Sequence, residues 1–423
     1  MTSYPDSVRF LYALGNEVKT IKLGLERIDA LMAELGRPER SCRTVHVAGT
    51  NGKGSVCAMI ESGLRAAGFK TGLTISPHLV EPTERIQINR QPVSELEFAE
   101  AFDEVHRVAM RMVDEGRLDL HPTYFETVTA MAFLLFQKRG AGIAVIETGL
   151  GGRLDATNIV RPALTVITPI DFDHEAWLGN SIEKIAAEKA GILKPGAPLV
   201  LAPQREEADR VVRSRARELD LRVCSAADWR ITEPELSAYG CRYRTITPAE
   251  FVVECALPGE HQVQNSLTAV AALHALDIPR AAVEAGIRGA RWAGRLERIR
   301  RNPDIIVDGA HNPAGIRALA AYLKRFFADR RVWLIYGTMR DKSVGEIGEL
   351  LSPLAHEIIL TAADSPRALR PEALAPLFDD HPRVRTAPRL KDALALASAA
   401  APGDAVFITG SLLLVGEAYA LLP

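Results

Sequence analysis

The residues Gly49-Thr50-Asn51-Gly52-Lys53-Gly54-Ser55 carry the clearest chemistry in this chain. Glycines let backbone N–H groups approach phosphate oxygens, and a helix N-terminus adds partial positive charge. Lys53 can reach the outer phosphates, and Ser55 supplies a hydroxyl. The run follows a β-type segment at 43–47 and precedes a helix-like segment at 56–67. Strand, Gly-rich turn, lysine, hydroxyl and helix together predict nucleotide binding through Gly52, Lys53, Gly54 and Ser55. The turn is shorter than G-x-x-x-x-G-K-[ST], because only Thr50 and Asn51 separate Gly49 from Gly52.

A second cluster, Glu147-Thr148-Gly149-Leu150-Gly151-Gly152-Arg153-Leu154-Asp155-Ala156-Thr157-Asn158, begins at the end of an apolar β-type run. Parallel sheets bind ligands at the carboxyl ends of their strands. A carboxylate there, near a phosphate loop, suits Mg²⁺, which takes oxygen ligands and keeps several waters. A helix cap or a salt-bridged acid is the plainer alternative for Glu147. The third cluster, Asp171-Phe172-Asp173-His174, also follows a strand, so His174 is a candidate metal ligand or a structural histidine. Lys189 lies in Glu188-Lys189-Ala190-Gly191, where an apolar helix end also fits a snorkelling lysine. Downstream, Asn265 stands at a helix start, Arg295 in a linker, and Asp308 before Gly309-Ala310-His311-Asn312-Pro313. Each has a local explanation. Asn265 fits a first-turn polar residue, Arg295 a surface charge, and Asp308 a cap for the helix near Pro313.

These residues need a scaffold that presents strand ends. Near-continuous apolar runs at 69–75, 143–146, 164–167 and 198–201 read as strands buried on both faces. Helix candidates lie at 94–116, 122–138, 181–190 and 205–219. The alternation predicts a parallel α/β sheet. Short β-type pieces at 229–257 read as hairpins decorating this first domain. The alternation restarts after Arg291-Trp292-Ala293-Gly294-Arg295, with strand candidates at 305–307, 332–336, 357–360 and 405–408. The expected domains are therefore 1–292 and 296–423, the second a smaller α/β domain.

Bulk properties agree with this reading. A chain of 423 residues exceeds one ordinary core. Apolar residues at 47% and charged residues at 25% are a globular composition. A net charge of −2 gives no reason to expect a nucleic-acid partner or an anionic membrane surface. The sequence shows neither a run of 18 apolar residues nor the opening of a signal peptide. Five cysteines without a C-x-x-C pair suggest reduced thiols and a cytoplasmic location.

Taken in order, the strings resemble the folylpolyglutamate synthase and dihydrofolate synthase branch of the Mur ligase superfamily. The resemblance covers nearly the whole chain. It rests on residues 49–55, Ser76-Pro77-His78-Leu79 with Glu84-Arg85-Ile86, Thr123-Tyr124-Phe125-Glu126, residues 147–158, Asp173-His174, Glu188-Lys189-Ala190-Gly191, His261-Gln262 with Asn265, and residues 308–313. Leu23-Gly24-Leu25-Glu26-Arg27-Ile28 also matches this branch. Lys22, just before it, departs from the acid that bifunctional members can carry.

The resemblance implies a Mur-ligase-like fold, with a phosphate-loop ATPase domain and a Rossmann-like C-terminal glutamate-ligase domain. It implies ATP-dependent amide formation in folate biosynthesis and one-carbon metabolism. A carboxylate of dihydropteroate or a reduced folate is phosphorylated by ATP, and the amino group of L-glutamate attacks the acyl phosphate. By resemblance, Ser76, Glu147 and His174 serve Mg²⁺, and Lys189 becomes a carbamate that supports a second Mg²⁺. Asn265, Arg295 and Asp308 contact the nucleotide, and His311 lies near the glutamate or acyl-phosphate site. Thr123, Tyr124, Phe125, Glu126, Leu154, Asp155 and Ala156, with the loop at 76–84, match the pterin region. The expected protein is a cytoplasmic monomer that binds neither nucleic acid nor membrane. A peptidoglycan-precursor Mur ligase would share the phosphate loop, but the Ser-Pro-His-Leu and Tyr-Phe-Glu strings favour folate. A nucleotide switch lacks support, since no N-K-x-D string occurs and the second domain would go unexplained.

Overall fold

The computed structural model describes residues 2–14, 24–340 and 347–422. Lys22 and Leu23 lie outside the described residues. The chain divides into two compact units. The first comprises Met1–Arg230, Ile246–Phe251 and Asn265–Gly289, and the second Ile231–Thr245, Val252–Gln264 and Ala290–Pro423.

The first unit is built on β1 (Arg43–Ala48), β2 (Thr71–Thr74), β3 (Ile86–Ile88), β4 (Gln91–Pro92), β5 (Ile143–Glu147), β6 (Leu164–Ile167), β7 (Leu199–Leu201) and β8 (Val223–Ser225). Their order is β4-β3-β2-β5-β1-β6-β7-β8. Every pairing from β2 to β8 is parallel, and β3 and β4 extend the edge antiparallel. Strands β5 and β6 are buried along their whole length, as their apolar runs require. One core gathers Phe98, Phe102, Phe133 and Phe136 with Ile146. Another gathers Ile167, Ile185, Leu199 and Val212.

The register matters for function. Val47 of β1 pairs with Glu147 of β5, and Ala48 pairs with Ile167 of β6. The Gly-rich turn, Glu147 and the segment after β6 therefore leave three adjacent strands at one edge. Ligands of open α/β sheets bind at such an edge. Helix Lys53–Ala66 starts there: the glycines end the strand, and the apolar run after Ser55 is buried.

In the second unit, β9 (Arg230–Ile231), β10 (Glu235–Ser237), β11 (Gly240–Thr247) and β12 (Val252–Cys255) form a small sheet. The sequence leads one to expect these hairpins on the first domain, but most of this sheet groups with the second unit. Specific contacts explain it. The Tyr322 hydroxyl donates to Ala238 O at 2.8 Å, and Arg298 lies over the Tyr239 ring and donates to its hydroxyl at 2.6 Å. Local β-type composition reveals the hairpins but not their distant partners.

The main sheet of this unit holds β13 (Glu297–Arg300), β14 (Asp304–Asp308), β15 (Val332–Tyr336), β16 (Glu357–Leu360), β17 (Val384–Thr386) and β18 (Ala405–Thr409). Their order is β13-β14-β18-β15-β16-β17, parallel except for β13 against β14. Ile306, Leu334, Tyr336, Ile358 and Phe407 fill its core.

Candidate active site

The Gly-rich turn is latched from outside. Thr50 N and Asn51 N donate to Pro169 O at 3.0 and 3.1 Å, and Thr50 Oγ1 donates to Asp171 O at 2.9 Å. This pins the turn to the segment after β6. Gly52 has φ +83°, and a Cβ there would lie 2.4 Å from Asn265 Oδ1. Asn265 is thus brought against the turn, so its first-turn helix position is not its whole role. Helix Lys53–Ala66 begins immediately afterwards, and its first N–H groups lack intrahelical acceptors.

Two lysines converge on one carbonyl. Lys53 Nζ donates to Gly49 O at 3.1 Å and to Thr50 O at 3.2 Å. Lys189 Nζ donates to Gly49 O at 2.8 Å. Lys189 is buried, so it does not snorkel. Burial first, and then the neighbouring Lys53 charge, lower its pKa to about 7, against the pull of Asp173 and Asp155. Near neutral pH a large share of this amine is uncharged and nucleophilic.

Glu147 is buried at the end of β5, and Ser76 N donates to its Oε2 at 3.4 Å. The Ser76 backbone therefore stands beside the Glu147 carboxylate, a hard oxygen ligand of the kind Mg²⁺ takes. His174 begins the short helix Glu175–Leu178 with φ +54°, and its ring lies 3.9 Å from Asp173. Among the described residues no group of three or more His, Cys, Asp or Glu is arranged to hold a metal ion. A Mg²⁺ held mainly by nucleotide phosphates and water needs only one or two protein ligands.

The pieces assigned to the pterin meet beside this edge. A Cβ on Gly149 would fall 2.7 Å from the Phe125 ring and 3.2 Å from Asp155 Oδ2. The buried Asp155 carboxylate accepts from Gly149 N at 3.0 Å, Leu150 N at 2.9 Å, Thr157 N at 3.0 Å and Thr157 Oγ1 at 2.5 Å. Burial pushes its pKa up, and these donors oppose that rise. Thr123 and Glu126 form the capping box of helix Tyr124–Lys138, which fixes where Phe125 projects. Such a cap stabilises a helix by about 1 kcal/mol. Arg27 approaches Glu126 at 3.6 Å. Tyr124 stacks on Tyr12 with centroids 5.7 Å apart, and Arg85 lies over its ring. Leu154 and Ala156 flank Asp155 in the chain. The sequence gives no individual role to Tyr12, Thr157 or His46. Their signals are contacts made across long sequence separations.

In the second unit, Asp308 ends β14. Its Oδ2 accepts from Leu296 N and its Oδ1 from Ala310 N, both at 3.0 Å. Asn312, not Asp308, caps helix Pro313–Phe326, accepting from Gly315 N at 2.9 Å. The cap alternative for Asp308 is thereby removed. A Cβ on Gly309 would lie 2.4 Å from an Arg295 guanidinium nitrogen, so Arg295 packs beside Asp308. His311 Nδ1 donates to Gly309 O at 2.8 Å. Burial, and then Arg295, lower the pKa of His261 to about 4, leaving it neutral.

Comparison with known proteins agrees with both halves. The Mur ligase middle domain matches residues 47–273, and the Mur ligase glutamate ligase domain matches residues 294–412. The dihydrofolate synthase/folylpolyglutamate synthase of Bacillus subtilis is 38% identical over 379 residues, covering 87% of each chain. Mycobacterium tuberculosis folylpolyglutamate synthase complexed with ADP superposes with a TM-score of 0.91 at 33% identity, over 98% of each chain. Escherichia coli FolC in complex with DHPP and ADP superposes with a TM-score of 0.87 at 30% identity, covering 100% of this chain and 99% of that one. Two Mur ligase domains in order, and relatives alike along most of their length, place the chain: it belongs to the dihydrofolate synthase/folylpolyglutamate synthase family of the Mur ligase superfamily and is an ATP-dependent ligase.

Proposed function

We propose that this protein joins L-glutamate to dihydropteroate, and to reduced folates, through an acyl phosphate. The observation that carries the reading is one shared sheet edge. The phosphate turn with Lys53, the carboxylate Glu147, and the Phe125–Asp155 wall lie along it, linked by the short run from Glu147 to Gly149.

Residues 1–292 supply the phosphate turn and the pterin site in this reading, and residues 296–423 are the glutamate-ligase domain. Gly52, Lys53, Gly54 and Ser55 hold the phosphates of ATP. The substrate carboxylate oxygen attacks the γ-phosphorus and ADP leaves. Negative charge on the transferred oxygens is met by Lys53 and the helix N-terminus, preorganised before reaction. Ser76, Glu147 and His174 would hold Mg²⁺, with a carbamate on Lys189 supporting a second ion. Bound Mg²⁺ would neutralise phosphate charge as the γ-phosphoryl group moves. The glutamate nitrogen then attacks the carbonyl carbon, losing a proton as phosphate departs. Asn265, Arg295 and Asp308 bind the rest of the nucleotide, and His311 faces the glutamate or acyl-phosphate group. Phe125 stacks on the pterin, with Thr123, Tyr124, Glu126, Leu154, Asp155 and Ala156 around it. The protein acts as a cytoplasmic monomer.

The deciding assay is ADP release with L-glutamate and either dihydropteroate or a tetrahydrofolate. Turnover with both acids, dependent on glutamate and Mg²⁺, is the expected outcome. Turnover with the tetrahydrofolate alone makes the enzyme a monofunctional folylpolyglutamate synthase. ATP hydrolysis without either acid would overturn the reading.

A further inference from the structure

His46 sits in the middle of β1, fully buried, three residues before the phosphate turn. The nucleotide chemistry makes no use of it. Its Nε2 lies 2.9 Å from Thr157 Oγ1, and Thr157 Oγ1 lies 2.5 Å from Asp155 Oδ1. The order of protons in this chain is fixed by elementary chemistry. A hydroxyl has one proton. At 2.5 Å from a carboxylate, that proton belongs in the Thr157–Asp155 bond. The Thr157 oxygen must then accept, so His46 carries its proton on Nε2. The other ring nitrogen agrees. His46 Nδ1 is buried without a partner among the described residues, and a proton there would be a buried donor without an acceptor. Burial, with Lys194 nearby, lowers its pKa to about 3, so the ring stays neutral.

We infer that His46 is a positioning residue for the pterin acid, acting through Thr157 to aim the Asp155 carboxylate. The inference rests on the reading of Asp155 as a pterin contact. The consequence of the chain is directional. With Thr157 committed, Asp155 receives two donors on each oxygen. Both oxygens are thereby locked in orientation with their lone-pair directions filled, so the carboxylate is a fixed anchor of the wall it forms with Phe125. The same carboxylate holds Gly149 N and Leu150 N, so the chain also sets the backbone beside Phe125. Without His46, the Thr157 hydroxyl can rotate, and Asp155 loses its most closely held donor.

The test is steady-state kinetics with dihydropteroate and ATP varied separately, on His46→Phe, His46→Gln, Thr157→Val and Asp155→Asn. Losing one buried hydrogen bond of this kind corresponds to roughly a 3- to 10-fold effect. His46→Phe should raise the KM for dihydropteroate by that factor and leave the KM for ATP within about twofold. His46→Gln, whose amide can donate to Thr157, should recover most of the loss. Adding His46→Phe to Thr157→Val should cost nothing further, because residues in one network are not additive. Imidazole ¹⁵N spectra should show His46 protonated at Nε2 alone. Equal changes in both KM values, or full additivity of the pair, would overturn the inference. If Asp155→Asn leaves the pterin KM unchanged, the underlying reading of Asp155 falls and takes the inference with it. If Asp155→Asn raises it while His46→Phe and Thr157→Val do not, only the inference falls. Should phenylalanine at this buried position prevent folding, Thr157→Val and the imidazole spectrum still decide, since a proton on Nδ1 refutes the chain.

Discussion

The carboxyl edges of the two sheets hold charge in opposite ways. At the first, two lysine nitrogens gather on a single carbonyl, Gly49 O, and neither donates to a carboxylate among the described residues. At the second, Asp308 is met by two backbone N–H groups with Arg295 beside it. The first edge carries its positive charge on Lys53, with the buried Lys189 amine titrating at about 7 beside it. The second presents an acid whose orientation the backbone fixes. Like strand ends are thus built for unlike partners: a lysine cation suits an anionic group whose charge changes, and a fixed acceptor suits a group that is only held. Burial raises the pKa of Asp308, while Arg295 and the two N–H groups oppose this.

The comparison breaks most directly at Lys53. If the cationic edge serves the transferred phosphoryl group, Lys53→Ala should lower turnover by about 10²-fold or more. Among the described residues its side chain bonds only to turn carbonyls, so the melting temperature should stay close to that of the parent. Assay of ADP release alongside a thermal melt checks both. Near-normal turnover in a folded variant would show that the first edge does not act through this cation.

How much of this contrast was written in the sequence differs between the two edges. The first was legible because its signal is local: Gly52-Lys53-Gly54-Ser55 follows a strand and opens a helix, and Glu147 ends an apolar run. The alternation of apolar strands and helices likewise gave the parallel order of both units its raw material. Asp308 was ambiguous, since an acid five residues before a Pro-initiated helix reads equally as a cap. Only the bonds to Leu296 N and Ala310 N, and the capping by Asn312, separate the two cases. Asn265 and Thr157 were harder still. Their partners, Gly52 and His46, lie more than a hundred positions away, where no pattern of periodicity or spacing reaches. Lys189 shows the same limit in another form. Its apolar helix end predicts burial or snorkelling alike, and the bond to Gly49 O decides for burial.

Lys189 sharpens the comparison at the next level of effect. Lys189→Ala should lose most activity, and a short carboxylic acid added in trans should restore part of it if a carbamate supplies the missing oxygen. Stability gives an independent reading in bicarbonate-free buffer. The pKa of this amine falls from 10.5 to about 7 on folding, chiefly through burial. Between those values the unfolded chain binds a proton that the folded chain does not. The native state therefore gains stability as pH rises through that window, and the penalty is complete below it. Lys189→Met removes the titration. Its stability advantage over the parent should be greatest at pH 7 or below and shrink towards pH 10, as read from urea midpoints. Parallel curves for the two proteins would mean that Lys189 is not held as a buried amine.

The smallest expected effect tests what the first edge does without charge. Phe125 stands against Gly149, two residues beyond the carboxylate Glu147, yet its ring carries no charge to offer a phosphate. Its helix start is fixed by Thr123 and Glu126, so truncating the ring leaves the backbone beneath it in place. An aromatic pair contributes roughly 0.5–1.5 kcal/mol beyond the area it buries, which corresponds to about 2- to 12-fold in binding. Phe125→Ala should therefore raise the KM for dihydropteroate within that range and leave the KM for ATP and the Mg²⁺ requirement unchanged. Such a split would divide the edge into a charged half for the nucleotide and a neutral half for the acid. A matching rise in the KM for ATP would instead mean that Phe125 supports the phosphate turn through Gly149 and Glu147, and the two halves would have to be treated as one site.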